Sequence, residues 1–143
     1  MNLVDVNVLI YAVNSDSPHH EKARRWLERA LSGTDTVGLA WTVLLAFLRV
    51  TTRRGIMEKP LDATAAVAYV DSWLRHPNVE IIEPDENHWP ILRTLIISAG
   101  TAGNLTSDAH LAALALGTGS TLVSTDHDFR RFAALSVFNP LET

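Results

Sequence analysis

Three aspartates that lie far apart in the sequence each interrupt an apolar or helix-forming stretch. They are Asp5 within Leu3–Ile10, Asp108 within Thr106–Leu111 and Asp126 within Leu122–Phe129. An ionised carboxylate among Val, Leu and Ile is costly unless a charged or hydrogen-bonding partner meets it. Three such groups brought together would also repel one another and raise one another's pKa values. A bound divalent metal resolves both problems, so the aspartates predict a metal site.

The remaining composition narrows the choice of metal. The chain has no cysteine, which excludes thiolate ligands and disulfides and leaves carboxylate and imidazole as the strong ligands. None of the six histidines forms a His-x-x-x-His pair, and we expect them in surface or capping roles. A site made of carboxylates favours Mg²⁺, for which Mn²⁺ can substitute.

Short apolar strands that alternate with helices must position these acids. The predicted strands are Asn2 to Val6, Thr36 to Ala40, Val79 to Ile82, Ser120 to Val123 and, less regularly, Ser136 to Phe138. The predicted helices are Pro18 to Leu31, Trp41 to Thr52, Leu61 to Arg75, Glu86 to Ser98 and Ser107 to Leu116, the last capped by Thr106 or Ser107. Strands without polar alternation indicate an α/β fold, with a mostly parallel central sheet of about four or five strands and helices on both faces.

The predicted fold brings the three acids to one edge of the sheet. Asp5 and Asp126 fall near the carboxyl ends of strands, where α/β proteins bind ligands, and Asp108 lies in the first turn of a helix that can approach that edge. Each acid also has a simpler explanation. Asp108 is the kind of acid that a helix dipole favours, and Asp126 or Asp128 suits a turn. Asp5, inside the apolar run, is the hardest to explain without a ligand.

Length and charge set wider limits. The chain has 143 residues with 47% apolar content, which is enough for one domain, and we expect residues 1–143 to form it. We expect no membrane span and no secretory signal, and therefore a cytoplasmic protein. The net charge of −4 gives no global attraction to nucleic acid, although arginines cluster locally, as at Arg130 and Arg131.

Several separate motifs, in order and at natural spacing over nearly the whole chain, resemble PIN-domain ribonuclease toxins of the VapC type. These motifs are residues 3–9 (LVDVNVL), Pro18-His19-His20, residues 47–50 (FLRV), residues 103–115 (GNLTSDAHLAALA) and residues 125–129 (TDHDF). Agreement of several motifs makes this resemblance more specific than a single short pattern.

The resemblance implies a toxin of a type II toxin–antitoxin pair. Such a toxin is an endoribonuclease that uses Mg²⁺ or Mn²⁺ to hydrolyse RNA, whether tRNA, rRNA or mRNA, and a cognate VapB-like antitoxin neutralises it. The resemblance assigns catalysis and metal binding to Asp5, Asp108 and Asp126, with Asp128 as a weaker fourth metal ligand. It further implies a homodimer and an antitoxin whose carboxyl-terminal segment lies across or near the acids.

One position departs from the family pattern. The usual quartet of acids includes a glutamate on the helix before the Phe-Leu-Arg motif, and by sequence register Leu44 takes its place. The chain has no carboxylate between Asp35 and Glu58, so no neighbour substitutes. The cation would have fewer protein ligands and more waters, which Mg²⁺ tolerates. We therefore predict weak metal affinity and slow or narrowly selective cleavage.

Other interpretations remain open from the sequence. A degenerate PIN domain that binds RNA or antitoxin without efficient cleavage is consistent with the missing glutamate. A phosphoacceptor receiver or haloacid-dehalogenase-like phosphatase would also place an aspartate after the first strand, but it needs a further acid where this chain has Asn7. Arg49 lies on a predicted helix that is mostly buried, so its side chain should extend to the surface or pair with an acid. Contact with an RNA phosphate and contact with the antitoxin are the alternatives.

Overall fold

The protein contains a five-stranded sheet in which all neighbouring strands are parallel. A computed structural model describes residues 1–142, and in that range the strand order is β3-β2-β1-β4-β5. The strands are β1 (Asn2–Val4), β2 (Val37–Ala40), β3 (Val79–Ile82), β4 (Thr121–Val123) and β5 (Val137–Phe138). The predicted fold class is confirmed, because a parallel sheet of five strands is flanked by helices.

Six α-helices connect and cover these strands within the described part of the chain. They are α1 (Val6–Val13), α2 (His20–Ser32), α3 (Trp41–Thr52), α4 (Ala63–Leu74), α5 (His88–Ala99) and α6 (Thr106–Thr118). The chain adds strands on one side of β1 and then, from β4, on the other side. Right-handed crossovers therefore place helices on opposite faces of the sheet. None of these helices is long and apolar enough to cross a membrane.

The first strand is shorter than predicted and a helix that the sequence analysis missed follows it directly. β1 ends at Val4, and Asp5 is the N-cap of α1, with its side chain accepting a hydrogen bond from the backbone N–H of Val6. Residues 6–10 are apolar at every position except Asn7, so their periodicity does not separate strand from helix. The capping aspartate is the local signal that ends the strand.

The core lies between the sheet and its helices. Leu3, Val4, Leu122 and Val123 on the two central strands are fully buried, as expected for parallel strands covered on both faces. Gly38 on β2 permits the close approach of the neighbouring strands, because a Cβ there would lie 2.8 Å from Ile82 Cγ1. This packing fixes the positions of the strands whose carboxyl ends lead to the acids.

Helix α6 carries Asp108 and is buried on nearly all sides. Its residues Ala109 and Leu111 to Ala115 are buried, which explains the alanine-rich composition. The predicted cap by Thr106 or Ser107 is wrong, since Leu105 is the N-cap residue and makes no side-chain capping bond. A 3₁₀-helical turn, Gly103–Leu105, runs straight into α6 and takes the place of a capping side chain. Gly119, in the left-handed conformation at φ 64°, ends the helix and leads into β4.

Candidate metal centre

The carboxyl ends of the two central strands hold Asp5 and Asp126 side by side. The backbone N–H of Asp5 donates to the carbonyl of Val123 on β4 at 2.9 Å, which continues the β1–β4 pairing to the position of the acid. Asp126 follows β4 and caps a 3₁₀-helical turn, His127–Arg131, by accepting a hydrogen bond from the N–H of Asp128 at 2.9 Å. Both acids thus sit where strand pairing ends and a new helix begins.

A serine hydroxyl joins these two acidic segments. Ser124, which is 1% exposed, donates from Oγ to Asp5 Oδ2 at 2.7 Å. The same oxygen accepts a hydrogen bond from the backbone N–H of Asp126 at 3.0 Å. The other carboxylate oxygen of Asp5 accepts from the N–H of Val6 at 2.7 Å. Asp5 is therefore fixed through both of its oxygens, and Ser124 sets its position relative to Asp126.

Three of the predicted acids form a compact group of possible metal ligands. Asp108, Asp126 and Asp128 each offer a carboxylate oxygen, and these three oxygens lie within 4.8 Å of one another. Asp126 and Asp108 are half-buried, whereas Asp128 is exposed. Asp5 stands beside this group rather than in it. Three convergent carboxylates are the donor set that a hard, oxygen-seeking cation such as Mg²⁺ takes.

The electrostatics of the acids are those of a site that attracts a cation. Burial raises the pKa of Asp5, against the lowering effect of its bonds from Ser124 and Val6, and the charge of Asp126 raises it further. The pKa of Asp108 is also raised, first by burial and then by the charges of its acidic neighbours, while Arg131 opposes the rise. In both cases the ionised form is disfavoured by the surroundings, and a bound cation would relieve this.

The acids open onto a groove of about 620 Å³, here called the acidic groove. Asp5 and Asp108 lie in it, and α3 contributes a wall made of Thr42, Val43, Leu45, Ala46 and Arg49. Arg49 is exposed and makes no ion pair with any residue in the described range 1–142. It is therefore available to a ligand in the groove.

Leu44, to which sequence register assigns the place of the family's glutamate, is not among the residues that line the acidic groove. Leu44 is 1% exposed and belongs to the hydrophobic core, whereas Val43 and Ala46 of the same helix line the acidic groove. An acid at position 44 would therefore point away from the other carboxylates. The helix face that meets the groove is apolar at Val43, Leu45 and Ala46, which confirms that α3 adds no carboxylate to the site.

A pair of histidines near Asp108 was not predicted. His88 Nε2 on α5 and His110 Nδ1 on α6 are 2.9 Å apart, and His110 also lines the acidic groove. Burial, and then the neighbouring His88, lower the pKa of His110. No sequence pattern signals a contact between residues 22 positions apart on two helices. His127 Nε2 lies 4.0 Å from Glu142 Oε1.

Comparison with known proteins gives consistent relatives in sequence and fold. The family model described as PIN domain matches residues 3–135. The chain is similar to Ribonuclease VapC37 of Mycobacterium tuberculosis, with 48% identity over 92% of each chain. It is also similar to Ribonuclease VapC33 of the same species, with 37% identity over 99% of each chain.

Solved structures of lower identity share the fold. VapBC2 from Rickettsia felis, bound to a DNA fragment from its promoter, superposes with a TM-score of 0.69 at 21% identity, covering 96% of this chain and 97% of that one. VapC20 of Mycobacterium tuberculosis, a sarcin-ricin-loop-cleaving toxin, gives a TM-score of 0.64 at 18% identity, covering 92% and 95%.

Proposed function

The chain belongs to the PIN-domain family and, within it, to the VapC ribonucleases, and from this premise we propose that it is a metal-dependent endoribonuclease that acts as the toxin of a type II toxin–antitoxin pair. The observation that carries the proposal is the convergence of Asp108, Asp126 and Asp128, with carboxylate oxygens within 4.8 Å, beside Asp5. We further propose that residues 1–143 act as one PIN domain and that cleavage takes place in the cytoplasm, where the RNA is.

The proposed cofactor is Mg²⁺, with Mn²⁺ as a substitute. The donor set fits these ions, because every group in the cluster is a carboxylate. Asp108, Asp126 and Asp128 would hold the ion, and Asp5 would complete the site from beside them. When bound, the ion supplies positive charge that makes an attacking water more acidic and offsets the negative charge on the phosphate oxygens.

The protein's own contribution is to position the acids before RNA arrives. Ser124 and the N–H of Val6 hold both oxygens of Asp5, so this side chain loses little freedom when a ligand binds. Ser124 also fixes the backbone of Asp126. With no acid on the groove-facing side of α3, the site depends on these aspartates alone, which supports the expectation of weak metal affinity.

The partner that we propose is a VapB-like antitoxin. The structural relatives include complexes named VapBC, among them VapBC-1 from nontypeable Haemophilus influenzae, with a TM-score of 0.68 at 14% identity. The acidic groove supplies what a peptide segment needs, namely an apolar wall at Val43 and Leu45, and Arg49 as a free cation. We place the antitoxin's carboxyl-terminal segment in this groove, where it would block access to Asp5 and Asp108.

We also propose a homodimer. Large apolar side chains stand exposed on two helices, with Trp41 48% and Leu45 59% exposed on α3, and Trp89 64% and Ile97 61% exposed on α5. Exposed apolar groups of this size are expected at protein interfaces. Light scattering on the purified toxin, with Ile97→Glu as the variant, tests this assembly, since a charge at a buried interface position shifts a dimer toward monomer.

A second function is favoured by one specific observation, the apolar groove face of α3. A PIN domain that lacks the family's glutamate on this helix could be a degenerate protein, one that binds RNA or antitoxin without efficient cleavage. The phosphoacceptor alternatives receive no support, because the family match and the relatives agree on the PIN fold.

The deciding experiment compares the protein with two matched variants. Wild type, Asp5→Asn and the exposed-carboxylate control Asp71→Asn are incubated with total RNA and with tRNA and rRNA fragments in Mg²⁺, Mn²⁺ or EDTA, and the cut ends are mapped. Cleavage by wild type and Asp71→Asn that EDTA and Asp5→Asn abolish supports the nuclease. No cleavage by folded wild-type protein with either metal would refute it and favour the binding function.

A further inference from the structure

A second depression adjoins the acids and is separate from the acidic groove. It has a volume of about 260 Å³, and we name it the Arg130 pocket after the arginine in its lining. Ser124 and Asp126 form the side nearest the metal centre, and Phe132, Leu135 and Val137 contribute apolar surface. Asp126 lines this pocket and Asp108 lines the groove, so the acidic cluster stands where the two depressions meet.

Besides the carboxylates of Asp126 and Glu142, the lining of this pocket offers the guanidinium of Arg130 and the amide of Asn139 as hydrogen-bond donors. Arg130 and His127 lie in its lining, with side chains 64% and 63% exposed. Asn139 also lines the pocket, and its Oδ1 accepts a hydrogen bond from the N–H of Leu141 at 2.9 Å. Within residues 1–142, no hydrogen bond is formed by its amide NH₂, which can therefore donate to a ligand. Guanidinium and amide donors in one concavity suit an anion with several acceptor oxygens.

Arg130 is presently paired, but the pair is easily exchanged. Its Nη2 lies 3.2 Å from Glu142 Oε1 and 3.4 Å from Oε2. Both side chains are more than half exposed, and exposed ion pairs contribute little net stability. A phosphate that enters the pocket can therefore replace Glu142 as the partner of Arg130. Glu142 would act as a weak internal competitor for that phosphate.

We propose that the Arg130 pocket binds a phosphate of the RNA next to the phosphodiester that is cleaved, with Arg130 as its principal contact. The proposal rests on the proposed nuclease function, because it takes the scissile phosphate to lie at the acidic cluster. A continuous RNA strand that lies in the acidic groove and continues across the cluster would leave it on the side of Asp126, where the pocket with its exposed cation lies. Single-stranded RNA is recognised in such sites through its phosphates and splayed nucleotides.

The test uses two substitutions with opposite expected effects. Arg130→Gln removes the phosphate contact and should raise KM for RNA about tenfold, the usual effect of losing one charge-assisted hydrogen bond, with little change in kcat. Glu142→Gln removes the competitor and should lower KM. Arg25→Gln is the matched control, because Arg25 is equally exposed and paired with Glu21 at 3.5 Å on α2. It should leave KM unchanged.

Two further measurements distinguish contact with one defined phosphate from general electrostatic attraction. They are the salt dependence of RNA binding and the effect of shortening the RNA substrate. In Asp5→Asn, the binding of a short single-stranded RNA should weaken with salt, and adding Arg130→Gln should reduce the logarithmic slope by about 0.7, the value for one phosphate on a single strand. Trimming the cleaved RNA by single nucleotides on each side of the mapped cut should abolish the Arg130→Gln effect at one position on one side. Arg25→Gln should not change the slope.

The outcomes distinguish this proposal from the proposed function. If wild type cleaves RNA but Arg130→Gln has wild-type KM and salt slope, the pocket proposal is wrong and the nuclease stands. If wild type cleaves nothing but Arg130→Gln still reduces the salt slope of RNA binding and Arg25→Gln does not, the nuclease fails, and Arg130 is a phosphate contact of a protein that binds RNA without cutting it. Equal effects of Arg130→Gln and Arg25→Gln would also overturn the pocket, because they show general charge attraction.

Discussion

Asp5→Asn should stabilise the protein when no divalent metal is present, although it removes one acid of the proposed site. Asp5 is 8% exposed, and burial raises its pKa despite two hydrogen bonds to its carboxylate. Desolvation of a buried ion costs several kcal/mol, and two charge-assisted bonds of about 1.5–3 kcal/mol each recover most of it. We expect a residual cost of about 1 kcal/mol, which the neutral asparagine removes. Its amide oxygen can still accept from the N–H of Val6, and its NH₂ group can donate to Ser124 Oγ in place of the bond that the carboxylate accepted.

The assay is thermal unfolding in EDTA and then in increasing Mg²⁺. A gain of about 1 kcal/mol corresponds to a Tm higher by about 4 °C for a chain of this size. Mg²⁺ at ten times its Kd should stabilise wild type by about 1.4 kcal/mol and so raise its Tm. The same concentration should raise the Tm of Asp5→Asn less, because that variant keeps Asp108, Asp126 and Asp128 but loses the fourth acid. The two curves should therefore meet as Mg²⁺ increases, while Asp71→Asn follows wild type throughout.

The pH dependence checks the cause of this difference. A carboxylate whose pKa is raised in the folded state destabilises the fold at pH values above that pKa, and the penalty disappears as the group takes up a proton. The Tm difference between Asp5→Asn and wild type in EDTA should therefore be fully present at neutral pH. It should shrink as pH falls through the raised pKa of Asp5 toward its ordinary value. A lower Tm for Asp5→Asn at neutral pH in EDTA would refute the reasoning.

The remaining predictions concern the supports of the site and the sheet. Ser124→Ala should weaken Mg²⁺ affinity about tenfold, measured by calorimetry, because Asp5 loses one charge-assisted bond; unchanged affinity would show that Ser124 does not position the acid. Leu44→Glu should lower the free energy of unfolding, measured in urea, by about 3–5 kcal/mol, because it buries an unpaired carboxylate. Ala46→Glu places its acid on the groove wall and should leave the stability nearly unchanged. If Ala46→Glu were the more destabilised of the two, position 44 and not position 46 would face the acids. Gly38→Ala should cost about 1–3 kcal/mol by the same measurement, because its Cβ would meet Ile82 Cγ1, and a neutral effect would mean that this side chain moves aside freely.

The parts of the fold that local sequence determines were predictable. The bounds of α3 and β3 are those expected, because each is an apolar segment with a clear change of composition at its ends. The placement of Asp5 and Asp126 after strands, and of Asp108 in a first helical turn, is also confirmed. These features depend on which residues neighbour one another along the chain.

Features that depend on distant contacts were not predictable from one sequence. The bond between Ser124 and Asp5 joins residues 119 positions apart, and the His88–His110 contact joins two separate helices. Counting along a motif placed Leu44 at the site, but the orientation of α3 about its axis puts this side chain in the hydrophobic core. The start of α1 was missed because an apolar segment looks alike as buried strand or buried helix.

The topology also determines when during synthesis this enzyme can become active. β1 is the central strand, and Asp5 follows it directly. The strand that pairs with β1 on the acidic side, β4, is made only after six α-helices and two further strands. Contacts of such large sequence separation form late, because a long loop must close first. A nascent chain that ends before β4 therefore lacks Ser124, Asp126 and Asp128. Because the first strand pairs with the fourth, the acids cannot come together before β4 has been made.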